Sequence, residues 1–305
     1  MAGKDRSRVV RAGSASEPNR KVPRAGDSLN RIELGDMKIQ PIGVCRFSLL
    51  TTGGFKRGPA SLDERRAFLF QESRLALRMA WFRHVVMPSI RAQSDQGFLF
   101  VVLASDLMPQ KWQDELAETV ADCPVVRLEF IAPGKHFQIC NAPFSKYLHP
   151  DTDIVAQFRL DDDDAVAVNY IDRVRRDFET YLAPLYRQYG MVSGDYTSGF
   201  VLEADGTQAN LHRVFASTWN CGQTVYLPAG SRQGLFGWGH HQLHCHMPTV
   251  TLHDGNMFLR GRHDTNDSAF RLPDHNSRPW ELDALKRRFD IDLTALQDAL
   301  RKLPS

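Results

Sequence analysis

The chain has 305 residues, 42% of them hydrophobic and 24% charged, which is enough to bury a sizeable core in one large domain or two small ones. Its 38 Lys and Arg residues nearly balance 36 Asp and Glu residues, so net charge indicates no partner, and we expect no nucleic acid. No apolar run is long enough to span a membrane and no signal-peptide core follows the first basic residues. Five scattered cysteines favour a reducing cytoplasm over a disulfide framework.

The first segment, residues 1–36, reads as a basic tail with too little apolar surface to fold alone, so we expect disorder. Two interpretations stay open for it: a solubilising tail, or a segment that holds a cytoplasmic protein peripherally at an anionic membrane. The basic side chains lie among Gly, Ser, Pro and Ala, and they are Lys4, Arg6, Arg8, Arg11, Arg20, Lys21, Arg24 and Arg31.

After the tail, the stretch Met37–Leu50 predicts a strand that ends near Arg46. The sequence "SLDE" then forms a capping box, with Ser61 as N-cap and Glu64 three residues later. It predicts one helix, which ends near Pro88. The apolar face of that helix is spaced at three and four residues, through Leu75, Met79, Phe82 and Val86.

Strands and helices alternate through the next hundred residues. Gly97–Asp106 is a continuous apolar run of the kind that a parallel strand buried on both faces requires. A helix at Gln110–Val120 and strands at Pro124–Ile131 and Asp153–Leu160 follow, and residues 171–189 have the period of an amphipathic helix. This alternation predicts an α/β fold with a mostly parallel sheet, in which ligands bind at the carboxyl ends of the strands.

Four consecutive aspartates, Asp161–Asp164, come directly after the predicted strand at 153–160. Side chains of an extended chain alternate, so Asp161 and Asp163 would point the same way. Two carboxylates on a rigid strand suit Mg²⁺ or Mn²⁺, which takes its other ligands from water and substrate phosphates. The alternative is a solvated acidic turn without a metal. An EF-hand is excluded, because the loop has no central Gly.

The stretch "FRLDDDDA" resembles the "R-[LM]-D-x-D-D" signature of glycosyltransferases with the GT-A fold. Two longer stretches, Phe82–Asp106 and Met247–Ser268, are similar to segments of a family of rhamnosyltransferases, and "VCRFSL" resembles the first strand of that family. The resemblance covers residues 39–268. It implies a GT-A-like fold that transfers a sugar from a nucleotide diphosphate.

The resemblance also implies roles for individual residues. Asp161 and Asp163 would bind a Mn²⁺ or Mg²⁺ cofactor, with Asp164 beside them and His263 completing the metal site. The nucleotide-sugar donor would be held by Arg46, Asp106, Arg159, Asp161 and Asp162. An arginine suits phosphate contact because its guanidinium donates two parallel hydrogen bonds. For Arg159 a plain salt bridge to the aspartates is the alternative.

A cluster of histidines lies between His240 and His263. Zinc binding, ordinary hydrogen bonding and catalysis all stay open for it, although no paired zinc spacing is present. In the resembling family this region carries an acidic base, and a histidine can take a proton near neutral pH. The candidates for the base are His241, His240, Asp195 and Asp254.

These expectations combine into a GT-A-like domain at 37–280 and a C-terminal amphipathic helix at 281–305 that packs on the domain or extends it. Between them, Ser193–Phe200 predicts a turn or a hairpin. The expected reaction is metal-dependent transfer of a sugar, rhamnose by resemblance, from a nucleotide-diphosphate donor to a hydroxyl of a glycan or lipid-linked acceptor. Two alternatives are a metal-dependent phosphoesterase or nucleotidyltransferase, and a nucleotide- or glycan-binding module without activity.

Overall fold

The structure is a computed structural model that describes residues 37–52, 61–263, 277 and 279–303. The basic tail predicted at 1–36 lies outside the described residues. The first half of the described chain contains β1 (Ile39–Phe47), β2 (Thr51–Thr52), α1 (Leu62–Leu69), α2 (Glu72–Trp81), α3 (Met87–Arg91), β3 (Leu99–Ser105), α4 (Gln110–Val120), β4 (Val126–Ile131), β5 (Gly134–Lys135), α5 (His136–Lys146) and β6 (Ile154–Asp161).

The second half begins directly after the acidic run and ends in two helices. It contains β7 (Ala165–Val166), α6 (Tyr170–Asp177), α7 (Ala183–Tyr189), β8 (Val192–Tyr196), β9 (Ser198–Ala204), β10 (Ala209–Phe215), β11 (Gln223–Pro228), β12 (Thr249–Leu252), β13 (Phe258–Arg262), α8 (Pro279–Phe289) and α9 (Leu293–Arg301). Single π-helical turns join α2 to α3 and α6 to α7, at Phe82–Val86 and Phe178–Leu182.

The central sheet has seven strands in the order β12-β8-β11-β6-β1-β3-β4, and among these β11 alone runs antiparallel to its neighbours. Helices cover the sheet, and buried apolar side chains fill the space on both of its faces. The α/β class with a mostly parallel sheet, predicted from the strand and helix alternation, is confirmed. β1 and β6 pair side by side near the middle of the sheet, so their carboxyl ends lie together.

A second sheet, β10-β9-β13-β7, lies beyond the end of β6. Its short strand β7 begins immediately after Asp164, and it pairs with β13, which ends at Arg262. This pairing brings His263 from late in the chain to the acidic run. The second sheet is therefore what closes the region around the four aspartates.

Two local predictions are wrong. The capping box at Ser61 and Glu64 is present, but the helix that it opens ends at Leu69, and a separate helix starts at Glu72. The break has a packing reason: α1 buries only Leu69, whereas α2 places a whole face in the core, so the chain must turn between them.

The hairpin considered for Ser193–Phe200 is also absent, because β8 and β9 belong to different sheets. Thr197 separates them, and its backbone N–H donates to the carbonyl of Leu252 at 2.9 Å. The segment therefore carries the chain from one sheet to the other. Across the described residues, no helix is long and apolar enough to cross a membrane.

Candidate active site

The four aspartates do not continue the strand that leads to them. β6 ends at Asp161, and the N–H of Asp164 donates to the carbonyl of Asp161 at 3.2 Å, which forms a turn. The alternation of side chains along a strand therefore stops at Asp161, and the interpretation that paired Asp161 with Asp163 on that ground does not apply. Each carboxylate has its own set of contacts instead.

Asp161 lies between the ends of β1 and β11. Its Oδ1 is 2.5 Å from a terminal guanidinium nitrogen of Arg46, and its Oδ2 accepts a hydrogen bond of 3.0 Å from the side chain of Asn220. Burial opposes the charge on Asp161, but Arg46 and Arg159 outweigh burial and hold its pKa below the ordinary value. Asp161 is therefore an ionised carboxylate at the strand end.

Asp162 and Asp163 share one buried cation, Arg78 of α2. Its terminal nitrogen Nη1 lies 2.7 Å from Asp162 and 2.9 Å from Asp163. Burial raises the pKa of Asp162 despite Arg78, while Arg78 and His263 together lower the pKa of Asp163 against the effect of burial. The sequence interpretation missed Arg78, although an arginine on the apolar face of a helix, next to Leu75 and Met79, was a signal available in the sequence.

His263 lies with its Nε2 3.0 Å from Oδ2 of Asp163, and both side chains are about 95% buried. Asp164 instead accepts a hydrogen bond of 3.2 Å from the backbone N–H of Gly261, and burial raises its pKa well above the usual range. Of the residues nominated for the metal, Asp163 and His263 are therefore in direct contact, whereas Asp161 and Asp164 face other partners.

The donor set decides whether a metal fits here. The described residues contain no group of three or more His, Cys, Asp or Glu side chains arranged to hold a metal ion. Mg²⁺ and Mn²⁺ sites, however, often use one or two protein ligands and complete their shell with water and phosphate oxygens. Asp163 supplies one such ligand, a carboxylate with the His263 ring beside it, and the Oδ2 of Asp163 is shared between His263 and Arg78. A single carboxylate fits a site completed by water and substrate and does not fit a closed structural one.

A basic cluster lies beside Asp161, formed by Arg46, Arg159 and His136 around the ring of Phe236. Both guanidinium carbons are 5.8 Å from the centre of that ring, and Nη1 of Arg46 is 3.1 Å from Nε2 of His136. Burial and the two arginines lower the pKa of His136 to about 4, so it is neutral at pH 7 and accepts from Arg46.

Arg159 makes no ion pair within the described part of the chain, and its buried Nε has no hydrogen-bond partner there. Burial and the neighbouring Arg46 lower its pKa to about 10, which still leaves it charged at neutral pH. The salt bridge considered for Arg159 is thus absent. Arg46 is matched by Asp161, while the charge of Arg159 is matched by no carboxylate in contact.

Asp195 and His240 meet through a third residue, Thr218. The N–H of Thr218 donates to Oδ2 of Asp195 at 2.8 Å, and Nδ1 of His240 lies 2.6 Å from the carbonyl oxygen of Thr218. Burial raises the pKa of Asp195 to about 6, and Thr218 partly offsets that rise. Thr218 has a φ of 62°, an uncommon conformation for a β-branched residue.

The remaining candidates lie apart. Asp106 is exposed just beyond β3, and within the described residues its carboxylate forms no hydrogen bond or ion pair. Asp254 is exposed, two residues after β12, and pairs with Arg173 at 3.3 Å. His241 is exposed, with its ring centre 5.2 Å from that of His240.

A mostly parallel sheet with carboxylates and arginines at adjacent strand ends defines an α/β protein with a ligand site at that edge. The comparison with protein families is specific: residues 40–274 match the family described as "Putative rhamnosyl transferase". The match covers more than half of the chain. The chain belongs to this family of glycosyltransferases, and its mostly parallel sheet has the α/β class that the sequence predicted.

Solved structures also match the chain, with low sequence identity and low TM-scores. The chain is 10% identical to S. aureus TarS 1–349, with a TM-score of 0.38, over 74% of this chain and 60% of that one. In the complex of TarS with UDP-GlcNAc the coverage is 88% and 71%, with a TM-score of 0.39.

A 4-diphosphocytidyl-2C-methyl-D-erythritol synthase from Anaerococcus prevotii matches with a TM-score of 0.32 and 9% identity, over 72% of this chain and 89% of that one. No curated protein matches the sequence.

Proposed function

We propose that this protein transfers a sugar, rhamnose by its family, from a nucleotide-diphosphate donor to a hydroxyl of a glycan or lipid-linked acceptor, with a divalent metal. The observation that carries the proposal is the pair Arg46 and Arg159 beside the acidic turn at the carboxyl ends of β1 and β6. A diphosphate needs concentrated positive charge, and a sugar leaving group needs that charge to be fixed in place.

The charges at the strand ends favour an anionic ligand. Arg46 already has a carboxylate partner in Asp161, whereas Arg159 adds a half-buried cation, with a buried Nε and no carboxylate in contact. His136 adds no charge at neutral pH, because its pKa is low. A poorly solvated cation without a partner costs free energy, and an incoming phosphate would relieve it. Arg159 is therefore the residue we assign to the diphosphate, with Arg46 beside it.

Asp163 and His263 would hold the metal, with Asp161 and Asp164 near them as the other predicted ligands. When bound, a divalent ion neutralises charge on the leaving diphosphate. Arg78 fixes the Asp163 carboxylate and neutralises Asp162. The chain's own contribution on this side is to hold the Asp162 and Asp163 carboxylates in fixed positions around Arg78.

The acceptor hydroxyl must lose its proton during transfer. The candidates near the strand ends are His240, which is half-buried, His241, which is exposed, and Asp195, which is buried. Asp106 and Asp162 stay in the proposal for the donor, as contacts to the nucleotide and its sugar.

A thermal-shift panel tests the proposal. UDP, GDP, CDP and dTDP, each with and without Mn²⁺, would be compared on the native chain and on the Arg159→Gln and Asp163→Ala variants. A ligand at about 100 times its Kd adds roughly 2.7 kcal/mol of stability, which is readily seen. We expect one nucleotide to stabilise the native chain with Mn²⁺, and both variants to lose that shift.

The exposed Asp298 of α9, which pairs with Arg301 of the same helix, provides the matched control as Asp298→Asn, and it should keep the shift. No shift with any nucleotide would refute the donor site. A shift that does not need Mn²⁺ would favour a binding module, and hydrolysis of p-nitrophenyl phosphate would favour a phosphoesterase.

A further inference from the structure

Three elements of the described chain meet at the backbone of Thr218: the end of β8, the loop before the 3-10 turn Asn220–Gly222, and the 3-10 turn His240–Cys245. The side chain of Thr218 makes neither of the two contacts described here. Its N–H binds Asp195, and its carbonyl oxygen binds the ring of His240. The backbone of Thr218 therefore links the buried carboxyl of Asp195 to the imidazole of His240.

The chemistry of these bonds fixes the proton on the ring of His240. A carbonyl oxygen can only accept, so Nδ1 of His240 must be the nitrogen that carries hydrogen. In the neutral ring the lone pair is then on Nε2. The same logic orients metal-binding and catalytic histidines through a carbonyl or carboxylate on the opposite nitrogen.

The conformation of Thr218 shows that this arrangement is held in place by its surroundings. Its φ of 62° is left-handed, which is unfavourable for an L-residue, and the methyl and hydroxyl on Cβ make the position less favourable still. Such strain persists only where neighbouring contacts fix the backbone. The bond from Thr218 to the buried Asp195, which is 1% exposed, is the contact that does so.

The loop also connects this arrangement to the donor side. Asn220, two residues after Thr218, donates to Asp161. Two residues of chain span about 7 Å at most, so the peptide that holds His240 lies close to the strand end with the acidic turn. A further bond, from the side chain of Gln223 to the carbonyl of His240 at 3.0 Å, fixes the backbone of His240 to β11.

We propose that Asp195 and the Thr218 backbone are positioning groups that present Nε2 of His240 to the acceptor hydroxyl as the general base. The inference rests on the proposed transfer reaction and deepens it. The acceptor O–H gives its proton to Nε2, which forms an imidazolium. The oxygen electron pair forms the bond to the sugar carbon, and the bond from that carbon to the diphosphate breaks with its electrons on the diphosphate. The sugar carbon is inverted.

The first experiment needs no substrate. Long-range ¹H–¹⁵N spectra of the full chain labelled with ¹⁵N-histidine report which ring nitrogen carries hydrogen, and His240→Gln assigns the signal. We expect His240 to be protonated on Nδ1, in contrast to the Nε2–H form that free histidine prefers in water. A native His240 with hydrogen on Nε2 would overturn the proposal, whatever the nucleotide panel shows.

Variants then test the route from Asp195. Asp195→Ala should release the left-handed backbone and shift His240 toward the Nε2–H form, whereas Thr218→Gly should keep the native form, because backbone atoms make both bonds. The double variant Asp195→Ala/Thr218→Gly should recover part of the native form, since glycine adopts a positive φ without strain. If Asp195→Ala unfolds the chain, Asp195→Leu replaces it, because leucine fills a similar volume and cannot accept a hydrogen bond from the Thr218 N–H. If the Asp195 variants leave the His240 ring protonated on the same nitrogen as in the native chain, Asp195 does not position His240.

With the donor found by the nucleotide panel, kinetics complete the test. His240→Gln should lower kcat by about a hundredfold or more with a much smaller change in the KM for the donor. His244→Ala, in the same exposed turn, is the matched control. A larger loss for His241→Ala than for His240→Gln would contradict the assignment of the base, while leaving the transferase proposal standing.

Discussion

Arg78 is the buried cation that contacts two aspartates of the acidic turn. It lies 2.7 and 2.9 Å from two carboxylates that are themselves buried. Arg78→Met would leave Asp162 and Asp163 in a poorly solvated place without their cation. We expect the free energy of unfolding to fall by about 3–5 kcal/mol, measured by urea denaturation.

Arg83→Met is a suitable control for this measurement. Arg83 lies five residues further along the same helical segment, and its ion pair with Glu115 is partly exposed. Exposed pairs contribute about 1 kcal/mol or less. Equal losses for Arg78→Met and Arg83→Met would show that burial of the carboxylates does not matter here.

Asp195 gives a pH-dependent prediction. Its folded pKa of about 6 is above the unfolded value of 3.8, so the folded chain binds the proton more tightly. Stability from this group is present below about pH 4 and is lost as the pH rises to about 6. Asp195→Asn should therefore be more stable than the native chain at pH 7.5, by about 3 kcal/mol at most, with little difference at pH 4.

Thermal unfolding at both pH values measures this difference. The group responsible is buried next to the Thr218 N–H, with no charged side chain among the causes of its shift. A stabilisation by Asp195→Asn that is equal at pH 4 and pH 7.5 would mean that the Asp195 carboxyl titrates normally in the fold.

The residues that the sequence could nominate were those with a local signal. The aspartates stand out as a run, and Arg46 and Arg159 occur at or beside strand ends. Asn220 and Thr218 have no such signal, because their roles depend on contacts with residues 59 and 23 positions away. The strand period of two residues and the helix period of 3.6 residues describe local structure, so they do not predict contacts between residues that far apart in the sequence.

At the scale of elements, one position in the central strands has no room for a side chain. Gly43 of β1 lies between the rings of Phe158 and Phe100, and a Cβ there would overlap the Phe158 ring and lie 2.9 Å from the Phe100 ring. Gly43→Ala should destabilise the fold by about 1–3 kcal/mol, because the rings must leave their rotamers. Chemical denaturation is the measurement.

Gly194→Ala in β8 is the comparison for Gly43→Ala. A Cβ at Gly194 would be 3.5 Å from Leu182, which is ordinary contact. Both glycines are buried strand residues in the same sheet, so propensity changes alike in the two variants. A loss at Gly194 as large as that at Gly43 would rule out ring overlap as the cause.

The elements that were predicted correctly are those whose pattern lies within one segment. The strand β3 was predicted correctly because burial on both faces requires a continuous apolar run. The helix α4 was predicted correctly because its apolar residues recur with the helical period of 3.6. The break at Phe70 and Gln71 contains no Gly or Pro, so tertiary packing decides it. Each π-helical turn, by contrast, is followed two residues later by a proline, Pro88 or Pro184, which was a signal available in the sequence.

At the scale of the whole molecule, the basic tail at 1–36 remains a separate prediction. If it contacts anionic membranes, the full chain should sediment with phosphatidylserine vesicles at low salt, and a chain starting at Met37 should not. Each basic residue near the surface contributes about 1 kcal/mol, and salt weakens the attraction. Equal sedimentation of the two chains would leave only the solubilising role.

The closure of the acidic turn by β13 has a consequence for synthesis on the ribosome. Gly261 bonds Asp164 across 97 residues of sequence, whereas Arg78 precedes Asp162 by 84. At 5–20 residues per second, roughly 5–20 s pass between the emergence of the aspartates and that of their last partner. During that interval Arg78 is the cation already present, so the nascent chain can hold the carboxylates before His263 is made. A chain released before β13 is made would contain Arg78 and the aspartates but would lack Gly261 and His263.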